Sequence, residues 1–324
     1  MVSQLEPLDL LWGLVMFGIK QIASYVPTSS IDNIEQAQRF GETADFIDTK
    51  IGSRKLPQLD AGYETSDLAV AAVRELLAVN SNISLDAIDA IVVVTQNGDG
   101  EGLPHTAAIV QHKLGLPNTV AAFDVSLGCS GYVYGLYVLQ GFLSASGLNC
   151  GLLITADPYS KVIDRQDRVT SLLFGDAATA TLVGKDPLYS LGPVAYGTDG
   201  QGAEHLCVRE KKLHMNGRQV FNFAALNVAP HIKKLLAAAN LELSNIDEFL
   251  VHQGSAAIVD VIARGLGVEK QLVPQELAGI GNTVSSTIPL MLERRQSKQA
   301  IKNIVISGFG VGFSWASAIL KREK

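Results

Sequence analysis

The sequence predicts an α/β protein built from two duplicated halves, and three observations carry that reading. The chain has 324 residues of which 47% are apolar, enough for a large core and more than one core comfortably organises. Aromatic residues make up only 6%, while Ala, Val, Leu and Gly are abundant, which suits tightly stacked layers of helix and sheet better than an aromatic-rich sandwich. The third observation is a repeat. The helix-like ending Leu76-Leu77-Ala78-Val79-Asn80 resembles Leu235-Leu236-Ala237-Ala238-Ala239-Asn240, and the Leu85 to Gln96 stretch parallels Leu243 to Gln253 with one residue fewer. Gly151 to Ala156 then parallels Asn303 to Gly308, and each half closes on another apolar strand, Ala177 to Val183 and Ser314 to Leu320.

Taken in order, the first strand begins near Met16, in MFGIKQIASYVP. The stretch Asn33 to Thr49 reads as a helix, and Lys50 to Lys55 as a basic loop containing Gly52. Ser66 to Asn80 keeps Leu68, Ala71, Ala72, Leu76 and Val79 in helical rhythm. A strand over Ile88 to Gln96, a Gly/Asp loop over Asn97 to Leu103 and a helix over Pro104 to Leu114 follow, proline being well suited to a first helical turn. Val120 to Val125 has the composition of a buried strand and Tyr132 to Ser146 that of a buried helix. Beyond the strand Gly151 to Ala156 comes a loop carrying Asp164, Arg165, Asp167 and Arg168.

Leu8 to Ile19 is mostly apolar, yet no basic residue precedes Lys20 and the run is too short to span a bilayer. It reads as structural, with residues 1–15 an extra arm or short helix and Met16 an alternative natural start. The halves are then 16–185 and 186–324. A net charge of −6 with scattered basic residues speaks against a nucleic-acid partner. Three cysteines at irregular spacing, Cys129, Cys150 and Cys207, do not form a disulfide framework and fit a reducing cytoplasm. No CxxC pair or HExxH cluster suggests a metal.

The chain is organised around VAAFDVSLGCSGYVY, Val120 to Tyr134, where a strand ends in Gly128-Cys129-Ser130-Gly131 and a helix follows. A cysteine at a helix N-terminus meets unpaired backbone N–H groups and the positive end of the helix dipole, so a lowered thiol pKa and nucleophilic character are expected. A packed core cysteine is the plainer alternative. Duplicated halves bring corresponding strand ends together, which groups Cys129 with the strand end at His252, the turn Gly281-Asn282-Thr283 and the run Gly308-Phe309-Gly310-Val311-Gly312. Each also has a bland reading, as a satisfied core histidine, a plain turn and a tight bend.

These residues resemble the thiolase superfamily, and within it β-ketoacyl-acyl-carrier-protein synthase III. The resemblance rests on FDVSLGCSGYVYGL around Cys129, DRVTSLLFGDAATATLV from Asp167, FLVHQGSA around His252, GNTVSSTIPLML from Gly281 and GFGVGFSWASA from Gly308, and covers nearly everything from Phe17 onward. It implies a five-layered αβαβα fold, a homodimer joined through the strands preceding Cys129, and a catalytic set of Cys129, His252 and Asn282. It also implies acyl-CoA as a substrate, no further cofactor, and a malonyl thioester as the second substrate. Backbone N–H groups of Cys129 and Val311 would form the oxyanion hole, Leu103 and Phe309 the acyl pocket, and Phe46, Lys50 and Arg168 the coenzyme A contacts.

Departures from the family pattern bear on the second substrate. Gly254-Ser255-Ala256-Ala257 lacks the basic residue that helps dock acyl carrier protein, although Arg264 follows on the same expected helix. Lys50 and Phe46 stand where the family has arginine and tryptophan, and Leu103 is smaller than the family residue, which suggests a donor longer than acetyl. Three activities therefore stay open: decarboxylative condensation, acyl transfer or thioester hydrolysis through the same acyl-cysteine, and a silent partner subunit.

Overall fold

A computed structural model of the chain describes residues 17–324. The expected arm over residues 1–15, and Met16, lie outside the described residues. Nine strands form one mixed sheet among these residues: β1 (Phe17–Tyr25), β2 (Ala90–Val94), β3 (Ala121–Val125), β4 (Cys150–Ala156), β5 (Ala178–Lys185), β6 (Tyr189–Thr198), β7 (Glu248–Val251), β8 (Asn303–Gly310) and β9 (Ser314–Arg322). Their spatial order is β7-β8-β9-β6-β1-β5-β4-β2-β3.

That order contains a duplication. In β1-β5-β4-β2 the first two junctions are antiparallel and the third parallel, and β6-β9-β8-β7 repeats the same senses. The two sets meet at β1 and β6 through only two residue pairs, Gly18 with Ser190 and Ile19 with Tyr189. Here β1 must pass the incoming chain so closely that a Cβ on Gly18 would lie 2.2 Å from the Tyr189 carbonyl oxygen.

Helices complete five layers. α4 (Gly131–Ala145) and α7 (Thr287–Glu293) lie between the half-sheets, sharing one core with β1, β2, β4 and β6 to β9. The apolar composition of both helices follows from burial on two faces, as Tyr132, Leu136, Leu139 and Leu143 in α4 and Ile288, Met291 and Leu292 in α7 illustrate. α2 (Thr65–Val79) and α3 (Thr106–Leu114) cover the outer face of the first half. α5 (Gly217–Ala238) and α6 (Ala256–Leu266) cover the second. No described helix is long and apolar enough to cross a membrane.

Two helices differ from the expectations above. The stretch Asn33 to Thr49 is broken: α1 (Asn33–Gln38) stops before Gly41, at φ 73°, and helical structure resumes at Ala44–Phe46 behind an N-cap at Thr43, whose hydroxyl accepts from the Phe46 N–H at 3.2 Å. A π-helical turn, Ile47–Ile51, then absorbs Lys50, so the basic loop is shorter than expected. Pro104 lies outside α3. That helix starts at Thr106 because the Asp124 carboxylate of β3 accepts from the N–H groups of Thr106 and Ala107 at 2.7 and 2.8 Å, capping the end from another element.

Candidate active site

The turn from β3 to α4 places Cys129 just before the Ser130 N-cap, 4% exposed. It packs against the end of β8 with no room for side chains there. A Cβ on Gly308 would fall 2.6 Å from the Cys129 carbonyl oxygen, and one on Gly310 would fall 2.8 Å from Sγ. The glycines of this run therefore let a strand approach the cysteine.

His252 follows β7, where its N–H donates to the Ser307 carbonyl at 2.8 Å. The ring is 2% exposed, meets Phe309 edge to face at 5.3 Å between centroids, and has Nδ1 2.8 Å from Thr287 Oγ1. Asn282 is held by main-chain bonds to a distant segment: its N–H donates to the Leu173 carbonyl at 3.0 Å and its carbonyl accepts from the Gly175 N–H at 3.1 Å. Its Oδ1 accepts from the Val284 N–H at 2.9 Å, and Nδ2 is 3.4 Å from the Gly254 carbonyl.

One cavity of about 230 Å³ brings these groups together, with Cys129, His252, Asn282 and Phe309 all in its lining. Ile51, Leu173, Phe174, Leu206, Met215, Val220 and Ile258 make its walls apolar. Phe46, Lys50 and Arg168 also line it, with Arg168 stacked over the Phe46 ring at 6.0 Å. Val311 is half-buried in the cluster around Cys129, whereas Leu103 is 91% exposed and does not line the cavity of its own chain. Arg264 is exposed near the end of α6, seven residues beyond the cavity residue Ala257, or about 10 Å along the helix.

Electrostatics correct one expectation. Burial pushes the Cys129 thiol up to about 12, with a further upward push from Asp157, so desolvation outweighs the helix end. The backbone N–H groups of Cys129 and Val311 pull more weakly the other way. Burial likewise drives the His252 imidazole down to about 3, against a weaker opposing pull from the Val284 backbone, so the ring is neutral near pH 7.

Several neighbours gave no signal in the sequence. Asp157, at the end of β4, is buried and raised to about 7 by desolvation; Oδ1 accepts from the Gln96 N–H and from Asn97 Nδ2, while Oδ2 has no partner. Glu42 pairs with Arg168 Nη1 at 2.5 Å, so the arginine at the cavity is already ion-paired. Val284 takes φ 53°, unusual for a β-branched residue, and Thr287 touches His252. An Asp, Thr or Val at such positions is indistinguishable in sequence from an ordinary loop residue. Among the described residues, no group of three or more His, Cys, Asp or Glu is arranged to hold a metal ion.

Comparison with known proteins places this geometry among relatives. Residues 123–200 match the 3-oxoacyl-(acyl-carrier-protein) synthase III family, and residues 236–322 match the C-terminal family of the same enzyme. The β-ketoacyl-acyl-carrier-protein synthase III of Lactococcus lactis subsp. lactis is 32% identical over 329 aligned residues, covering 93% of this chain and 98% of that protein. A crystal structure of a 3-oxoacyl-(acyl-carrier-protein) synthase III superposes with TM-score 0.88 and 33% identity, over 94% of this chain and 99% of the other. The priming β-ketosynthase of a polyketide biosynthetic pathway superposes with TM-score 0.85 and 28% identity, over 95% and 96%.

Proposed function

The chain belongs to the 3-oxoacyl-(acyl-carrier-protein) synthase III family, and on that basis we propose that it is a condensing enzyme that loads an acyl group on Cys129 and extends it with a malonyl thioester. The supporting observation is the meeting of Cys129, His252, Asn282 and Phe309 at one apolar cavity. In the first half-reaction, Cys129 sulfur attacks the acyl-CoA carbonyl. Coenzyme A leaves as its thiolate and takes up the proton that Cys129 gives away, and the N–H groups of Cys129 and Val311 stabilise the tetrahedral oxyanion.

In the second half-reaction, His252 and Asn282 bind the thioester oxygen of the malonyl group. Carbon dioxide departs, its bonding pair becomes the enolate, and the carbanion attacks the acyl-cysteine and expels Cys129 thiolate. The product is a β-ketoacyl thioester. Decarboxylation supplies the nucleophile, so this reaction calls for neither metal nor redox cofactor. Fatty-acid initiation or a related cytoplasmic pathway is the setting of this chemistry.

The same reading assigns Phe46, Lys50 and Arg168 to coenzyme A, and Phe309 and Leu103 to the acyl pocket, Leu103 being supplied across a homodimer. β3 suits such a dimer, because it is one of the two edges of the sheet and its five residues are all half-buried. Acyl carrier protein is the expected bearer of the malonyl group. With Gly254 to Ala257 uncharged, its basic contacts fall to rim residues such as Arg218, exposed in the first turn of α5 beside the cavity residue Gly217.

Acyl transfer or thioester hydrolysis without decarboxylation is the second reading, favoured by that uncharged segment. Intact and peptide masses after incubation with acetyl-, butyryl- and octanoyl-CoA, for the native chain and Cys129→Ala, test the acyl-enzyme. An adduct confined to Cys129 supports both readings, and malonyl-dependent release of carbon dioxide separates them. Strict acetyl preference would remove the longer-donor expectation for Leu103; no acyl-cysteine with any donor would favour a silent subunit.

A further inference from the structure

The two backbone donors assigned to the oxyanion sit on separate pieces of chain. Cys129 N–H belongs to the turn between β3 and α4, and Val311 N–H to the three-residue connection of the β8–β9 hairpin, which the facing pair Gly310 and Ser314 closes. The far end of that connection is fixed within its own half. Phe313 N–H donates to the Asp199 carbonyl and Asp199 N–H to the Phe313 carbonyl, both at 2.9 Å. Toward Cys129, the glycines of β8 allow close packing, but apolar contact is non-directional and sets no exact gap between the two donors.

A polar contact crosses from the hairpin to the turn. Ser130 Oγ and Ser314 Oγ lie 2.8 Å apart, in residues 2% and 5% exposed. Ser130 directly follows Cys129, and Ser314 lies three residues beyond Val311. Ser130 is the N-cap of α4, where a serine hydroxyl ordinarily accepts an N–H of its own helix. Here it makes no such bond, and its backbone is already helical at φ −83° and ψ −12°. The hydroxyl is spent on the other half of the molecule instead. Stability does not call for such a pair, since replacing two buried hydrogen-bonding partners by apolar groups is close to neutral. What the pair supplies is direction: a hydrogen bond fixes distance and angle, and two alanines would not.

We propose that Ser130 and Ser314 are positioning residues, whose buried hydroxyl pair clamps the Cys129 turn to the β8–β9 hairpin and so fixes the gap between the two oxyanion donors. Neither residue lines the cavity. The catalytic consequence rests on the acyl-cysteine reading; the clamp itself does not. Because the pair acts as a unit, loss of either hydroxyl removes the whole interaction.

The test compares native protein with Ser130→Ala, Ser314→Ala and the double variant. It reads the rate of acyl loading from acetyl-, butyryl- and octanoyl-CoA, alkylation of Cys129 by iodoacetamide, and crystal structures of the native and doubly substituted proteins. Loading at saturating donor is expected to fall between about 10- and 10²-fold, by the same factor in all three variants. KM should stay within about twofold of native. Alkylation develops no oxyanion and should stay within about threefold. The double variant should show a longer distance from Cys129 N to Val311 N. Native loading in the double variant overturns the proposal, as do single losses that multiply, an equal loss in alkylation, or an unchanged distance. The double variant leaves no hydroxyl unpaired, so it is the one expected to fold if a single variant does not. A native protein that forms no acyl-cysteine counts against the acyl-cysteine reading, and the distance in the double variant then decides the clamp.

Discussion

Val284 donates its backbone N–H to Oδ1 of Asn282 at 2.9 Å from a left-handed conformation, φ 53°. A β-branched residue adopts that conformation only where the surroundings enforce it. Here the fully buried side chain packs with Cys129, Leu173 and Phe174, and the backbone pins the amide so that Nδ2 is the polar atom left for the cavity.

Asn282→Asp is therefore expected to keep the Val284 contact and replace the amide donor with an acceptor. Carbon dioxide release should fall about 10²- to 10³-fold, the usual consequence of losing one oxyanion donor. Acyl loading of Cys129, followed by mass, should persist. Equal loss of both half-reactions would show that Asn282 serves the whole site rather than the malonyl step.

The raised Cys129 thiol predicts a distinctive pH dependence. Only the thiolate reacts, so alkylation by iodoacetamide should climb about tenfold per pH unit from pH 8 to 10, where a free thiol of pKa about 8.5 would already level off. Asp157→Asn removes a negative charge that opposes ionisation and should shift the curve to lower pH. A plateau near pH 8 in the native protein would refute the raised pKa.

Glu42 competes with any anionic substrate group for Arg168. Both side chains are partly exposed, 24% and 48%, so the pair is a weak one of up to ~1 kcal/mol. Glu42→Gln should lower KM for acyl-CoA by up to about fivefold, with kcat little changed, and added salt should narrow the difference. An unchanged KM would mean that Arg168 does not meet the donor.

Arg295, 2% exposed, holds Glu248 through Nε at 2.6 Å and Glu276 through Nη1, while the Glu276 N–H donates to Gln253 Oε1 at 2.9 Å. The cluster ties α7 and β7 to the residue beside His252. Arg295→Met strands the mostly buried Glu248 carboxylate, leaves Glu276 with Arg294 Nη1 at 2.6 Å as its cation, and should cost about 3–5 kcal/mol in urea unfolding. Glu248→Leu in that background should recover part of the loss, because it removes the charge left unpaired.

Much of the fold was legible in local patterns. The uninterrupted Ala90–Val94 run reads as a strand buried on both faces, and the 3.6-residue rhythm of Leu68, Ala72 and Leu76 as a helix with one buried face. Strand ends could be found the same way, so Cys129, His252 and Asn282 were recognisable as residues standing at turns. Capping was less readable: α3 takes its cap from Asp124, 17 and 18 residues away, and no local pattern encodes that bond.

By itself the sequence determined the periodicities, the duplicated order of elements and the resemblance to the thiolase superfamily, because these depend on neighbours along the chain. The tertiary structure alone decided the chemical state of the site. Burial reversed the shift expected for Cys129, Glu42 reached Arg168 across 126 positions, and Thr287 reached His252 across 35. Desolvation and hydrogen bonding depend on which distant atoms share a small volume, and only the folded chain specifies that.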